Sequence, residues 1–177
     1  ANQQYNGGGS ARVCTPLACE ACLRFLQNPS CLEDDLATSL LLDEILRAGS
    51  HYAGDGHFFP NAILEHDKFS CLKRVEPAAL RSIADDDVLS TFESGQTLVH
   101  RLGHLLDCIS EHAHQSESSR GVILCKPPQT LAFLAIFSKG SIEHAIFDAH
   151  PRSDHKSAAL IRFRSFPEVD QYIRELW

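Results

Sequence analysis

The chain has 177 residues, 44% of them hydrophobic and 22% charged, and a net charge of −7 at neutral pH. This fits one globular domain, residues 1–177, able to hide roughly 70% of its unfolded surface. No Lys/Arg run offers the basic face that nucleic acid requires, and no apolar run approaches the ~18 residues of a membrane span.

The seven cysteines, at 14, 19, 22, 31, 71, 108 and 125, are odd in number and lack the spacing of a disulfide framework, so reduced thiols are expected. Ala1 to Ser10 is polar and Gly-rich, unlike a charged leader followed by an apolar core, which gives the expectation of a cytoplasmic or nuclear setting. The absence of methionine, even at position 1, suggests a domain taken out of something longer.

In chain order, Gln3, Gln4 and Tyr5 precede Gly7-Gly8-Gly9-Ser10, a loop leading into a helix. Thr15 is an N-cap type and Pro16 suits a first helical position, after which Leu17, Ala18, Cys22, Leu23 and Leu26 trace an apolar stripe. Asn28-Pro29-Ser30 ends that helix. A second helix is predicted from about Leu32 to Arg47, opened by Ser30 or by the acidic run Glu33, Asp34 and Asp35 and closed by Gly49. Residues 50–76 read as loop with short helical pieces, Glu76 to Ala84 and Asp85 to Phe92 as short helices, and Gln96 to His114 as a longer amphipathic helix burying Leu98, Leu102, Leu105, Leu106 and Ile109.

From Gly121 the pattern changes to short β-type runs: Val122 to Cys125, Thr130 to Phe137, Ile142 to Asp148 and Ala159 to Arg164. Ser138-Lys139-Gly140-Ser141 is short enough to make a hairpin of the second and third. A last helix runs from Pro167 to Leu176, with Pro at its first position. The expected architecture is α+β, a helical N-terminal half packed on a small antiparallel sheet.

Three residues have types and positions suited to chemistry. Cys14 lies at a helix N-terminus, whose partial positive charge and N–H groups favour thiolate and can hold an oxyanion; the bland alternative is a small buried hydrophobe. Asp148 and His150 are two apart at a strand end, roughly 6.6 Å between Cα atoms on one face, so the carboxylate can orient the imidazole. His144 shares that face but stands roughly 13 Å from Asp148, so it is expected as a flank of the site or a satisfied core histidine. Gln3 or Gln4 can donate a side-chain amide to an oxyanion. Two metal-like signals are discounted: His100 and His104 lack the following Glu and a third ligand, and Cys19-x-x-Cys22 lies within one helix with no second such pair. No metal or other cofactor is expected.

A Gln in an N-terminal loop, a Gly-rich run into a Cys that opens a helix, and a strand ending Phe147-Asp148-Ala149-His150 together resemble the tegument-type deubiquitinases. These are the cysteine protease domains of herpesvirus large tegument proteins and their non-viral relatives. In that family a Phe-Asp-x-His sequence supplies Asp and His from one strand, and a loop, an apolar strand and a terminal helix follow, the order of Ala158 to Phe163 and Val169 to Leu176 here. The likeness covers both ends of the chain; residues 30–118 carry nothing that matches. It implies a papain-like cysteine protease fold and a deubiquitinase, an isopeptidase acting on ubiquitin or polyubiquitin through a thioester acyl-enzyme. Cys14 would be the nucleophile, His150 the base, Asp148 its orienter, and Gln3 or Gln4 the oxyanion donor. The alternatives are a protease for a ubiquitin-like modifier or peptide, and a catalytically silent ubiquitin-binding module. An acidic surface suits the basic tail of ubiquitin, with Glu20, Asp55, Asp67 and Glu143 as candidate contacts.

Overall fold

A computed structural model of the protein describes residues 13–52, 95–126, 129–153 and 157–176. The short helices expected between Glu76 and Phe92 lie outside these residues, as do Gln3, Gln4, Asp55 and Asp67.

Helix α1 (Cys14–Gln27) is stopped at Asn28, whose backbone N–H and side-chain amide both donate to the Arg24 carbonyl at 3.0 Å ahead of Pro29. It is buried nearly all round rather than along one stripe: every residue from Cys14 to Cys22, and Phe25, is inside. The small side chains of Ala18, Cys19, Ala21 and Cys22 allow that close approach. A short 3₁₀ turn (Pro29–Glu33) leads to α2 (Asp35–Tyr52). The cap of α2 is Asp34, whose Oδ1 accepts from the N–H groups of Leu36 (2.8 Å) and Ala37 (3.2 Å), so the helix starts later than predicted and Ser30 has no part in it. Gly49 is not its stop. It lies inside α2 against Leu17, where an added Cβ would come within 2.2 Å of Leu17 Cδ2, so glycine is what lets α1 and α2 touch.

Helix α3 (Gly95–Gln115) precedes strands β1 (Arg120–Lys126), β2 (Gln129–Ser138), β3 (Ser141–Asp148) and β4 (Ala159–Phe163), and α4 (Phe166–Leu176) closes the described chain. The strands form one antiparallel sheet in sequential order. The predicted hairpin joins β2 to β3, and its two-residue turn uses positive φ at both Lys139 (51°) and Gly140 (80°), as the twist of an antiparallel ribbon favours. The fold is thus α+β, with four α-helices and four strands among the described residues.

The run Leu131 to Phe137 is apolar without alternation because both faces of the sheet are covered. Ala132, Leu134 and Ile136 join Ala145 and Phe147 in a core with α1 and α2. Leu131, Phe133 and Ala135 join Ile146 in a second core with Leu106 and Ala113 of α3 and Val169 and Ile173 of α4. Phe25, Phe133 and Phe147 are fully buried, each contributing about 1.5–3 kcal/mol of hydrophobic stabilisation. One end of this sheet gathers the end of β1, the start of β2 and the end of β3. Register sets Cys125 beside Thr130 and Leu131 beside Asp148 there, and the first turn of α1 lies against it.

Candidate active site

Cys14 is the first residue of α1, 5% exposed, with Val13 as the N-cap residue. The helical ladder opens with the Leu17 N–H donating to the Val13 carbonyl at 3.0 Å, which leaves the N–H groups of the first turn ahead of the ladder. Thr15 is not the cap that its residue type predicts. Its hydroxyl turns to the sheet and shares a 2.9 Å hydrogen bond with Thr130 Oγ1, pinning the first turn of α1 to the start of β2.

At the other side of the site, β3 ends at Asp148 and the chain bends. The Asp148 carboxylate is fully buried, and its Oδ1 accepts both from the His150 backbone N–H (2.8 Å) and from the ring at Nδ1 (2.7 Å). The pairing therefore arises from an Asx-type turn, in which a side chain captures the N–H two residues on, and not from two residues sharing a strand face. With the proton on Nδ1 facing Asp148, Nε2 is the nitrogen left for the sulfur, and the His150 ring and the Cys14 thiol are hydrogen-bonded. The structure brings Cys14 together with Asp148 and His150, which lie 134 and 136 positions further along the chain, as their spacing alone could not show.

Burial disfavours charge on all three groups, yet their contacts win. For Cys14 burial raises the pKa, but the hydrogen bond and charge of His150 and the hydroxyls of Thr130 and Thr15 bring it below the ordinary thiol value. For His150 burial lowers it, but Asp148 and then Cys14 push it up to about 9. For Asp148 burial raises it, but the side-chain and backbone hydrogen bonds of His150 and that of Arg152 hold the carboxyl below the usual range. Both shifts run toward a thiolate–imidazolium pair beside a carboxylate. Other thiols move the opposite way: burial pushes Cys22 up to about 12, and also raises Cys31 and Cys125. These suit packing, not nucleophilic attack.

His144 does not flank this site. It lies in the second core, 9% exposed, with Nε2 2.6 Å from Ser110 Oγ and its ring stacked on Phe133 (centroids 6.2 Å) and edge-on to Phe166 (5.8 Å). It is the satisfied core histidine. Burial lowers its pKa against the opposing charge of Asp107. His104 is exposed, with a ring nitrogen 3.9 Å from Cys108 Sγ, and among the described residues no group of three or more His, Cys, Asp or Glu is placed to hold a metal. Of the acidic contacts expected for a basic partner, Glu20 is unsuitable, being 3% exposed and 2.8 Å from Arg24 Nε, while Glu143 is bonded to Arg162 at 3.2 Å.

Three nearby residues escaped sequence reasoning: Thr130, Arg152 and Gln129. Thr130 hydrogen-bonds both the Cys14 and the Cys125 sulfur. Arg152 Nε donates to Asp148 Oδ2 at 2.7 Å and its Nη2 to Gln129 Oε1 at 3.3 Å. The only sequence signal for any of them is that Arg152 follows Asp148 closely enough to fold back on it. No family model, curated protein or solved structure matches the chain. Among the described residues no helix is long and apolar enough to cross a membrane.

Proposed function

We propose that this chain is a cysteine isopeptidase that removes ubiquitin from proteins or from ubiquitin chains, on a papain-like fold. The observation that carries the thiol-hydrolase part is the hydrogen-bonded series Cys14, His150, Asp148, with the sulfur at a helix N-terminus and its thiolate favoured. The choice of ubiquitin follows from the resemblance of Phe147-Asp148-Ala149-His150 and the Gly-rich approach to Cys14. A nucleophile-bearing helix laid against a sheet that supplies base and orienter is also the arrangement a papain-like fold requires.

The Cys14 thiolate attacks the carbonyl of the C-terminal glycine of ubiquitin, forming a C–S bond and placing negative charge on the carbonyl oxygen. N–H groups of the first turn of α1 and the side-chain amide of Gln3 or Gln4 hold that oxyanion. The His150 imidazolium gives its Nε2 proton to the departing lysine amine as the C–N bond breaks, leaving a thioester. His150, now neutral, takes a proton from water, the hydroxide adds to the thioester, and the C–S bond breaks to release ubiquitin with a free carboxylate and return the thiolate. Asp148 stays ionised throughout, holding the Nδ1 proton and the ring orientation.

Incubation with all eight di-ubiquitin linkage types tests this directly. Cleavage of at least one linkage by the wild type, abolished by Cys14→Ala and by His150→Ala, is the expected result. Cleavage left unchanged by either substitution would remove the proposed triad.

A further inference from the structure

Asp148 carries more contacts than the orientation of one imidazole needs. Its Oδ1 is occupied twice by His150, and its Oδ2 is taken by a guanidinium instead of a neutral donor. Arg152 is itself largely buried, 17% exposed. Its second arm is tied to Gln129 at the start of β2, so the fork spans from the turn after β3 to the neighbouring strand. We infer that Arg152 is a positioning residue, acting on His150 through Asp148: it fixes the plane of the carboxylate and offsets part of its charge, so that the imidazolium is strong enough an acid to give up its proton. The catalytic consequence rests on the thiol-hydrolase reading, but the electrostatic one does not.

A carboxylate removed from water and paired with a single imidazole would itself tend to take up a proton, or would hold the imidazolium so firmly that proton transfer to a leaving amine became unfavourable. A guanidinium on the far oxygen works against both, because it keeps the carboxylate ionised and draws its charge away from the ring. Arginine suits this because it is always charged and its planar fork reaches two acceptors at once. Among the described residues the ionisable groups acting directly on His150 are Cys14 from α1 and Asp148 from the end of β3, with Arg152 of the following turn on the far oxygen of Asp148. Cys125 of β1 lies next to Cys14, and β2 presents the uncharged Thr130 and Gln129.

The test is the titration of the His150 ring, followed by imidazole NMR in the wild type and in the Arg152→Gln and Arg152→Lys variants, with di-ubiquitin cleavage measured in parallel. In Arg152→Gln the His150 pKa should rise by about 0.5–1, with kcat lowered and KM little changed. In Arg152→Lys, which keeps the charge but loses the fork, the titration should stay near wild type while kcat still falls. An unchanged titration in a folded Arg152→Gln variant overturns the inference, whatever happens to its melting temperature. If that variant does not fold, the Arg152 Nε–H resonance of the wild type decides: protection from solvent exchange between pH 6 and 9 is expected, and rapid exchange overturns it. A shifted titration in a protein that cleaves no ubiquitin linkage supports the inference and sinks the ubiquitin reading instead.

Discussion

Replacing Asp148 by Asn keeps the shape of a fully buried side chain and removes its charge, isolating what the carboxylate does. In the native site His150 rises from its ordinary 6.5 to about 9, with Asp148 the largest of the contacts that raise it and Cys14 the next. That rise corresponds to about 3 kcal/mol in favour of imidazolium, nearer 2 kcal/mol after allowance for the solvent that reaches the ring. Asp148→Asn removes the larger share while the opposing burial remains, so the His150 pKa should drop by about 1–2. The Asn side chain keeps one acceptor oxygen, so it can serve Arg152 or the two His150 donors but not both, and the largely buried guanidinium loses its counter-charge, a loss of about 3–5 kcal/mol in stability. The assay is the pH dependence of Cys14 alkylation by iodoacetamide, read by mass spectrometry, with thermal melting alongside. The alkaline limb that reports imidazolium loss should move toward neutral pH. The sign on the acid side is also fixed. A carboxylate held below its ordinary 3.8 contributes stability that is present above that value and lost as pH falls through the lower folded value, so the variant should show a flatter acid dependence of melting. An alkylation profile identical to wild type would refute the idea that Asp148 charges His150.

Other substitutions separate neighbouring roles. His144→Ala should cost about 2–4 kcal/mol, from a cavity between Phe133 and Phe166 and an abandoned Ser110 hydroxyl, yet leave the alkylation profile of Cys14 unchanged; a displaced profile would make His144 part of the site after all. Thr130→Val deprives Thr15 and Cys14 of a hydrogen bond at a position 2% exposed, so a stability loss of about 1–3 kcal/mol and slower alkylation at neutral pH are expected, the second measured in the same assay. Gly49→Ala puts a methyl group into Leu17 and should destabilise by about 1–3 kcal/mol in denaturant unfolding; a neutral result would mean that α1 and α2 slide apart without cost.

What the sequence revealed is local in origin. The hairpin at Lys139 and Gly140, the helix before Asn28-Pro29 and the terminal helix with Val169 and Ile173 follow from periodicity and turn chemistry within a dozen residues. Asp148 and His150 were legible for the same reason, although an Asx-type turn, not strand alternation, joins them. The misreadings at Thr15 and Gly49 come from distant packing. Thr15 has the residue type of a cap, but a threonine 115 positions away recruits its hydroxyl. Gly49 has the residue type of a helix stop, but Leu17 needs the space it leaves. His144 lies on the strand face that period-2 alternation gives, but nothing in alternation says which of two cores that face meets. Arg152 and Gln129 form a three-residue contact with Asp148 that only the sheet register brings together, so no motif could point to it.

Ubiquitin bearing a C-terminal alkyne electrophile tests Cys14 as the nucleophile and ubiquitin as the substrate at once. The wild type should form a single covalent adduct mapped to Cys14, Cys14→Ala none and His150→Ala far less, while probes built on other modifiers react weakly. No ubiquitin adduct, in a protein whose Cys14 iodoacetamide still alkylates readily, would contradict ubiquitin as the substrate; an adduct on any other cysteine would contradict Cys14 as the nucleophile.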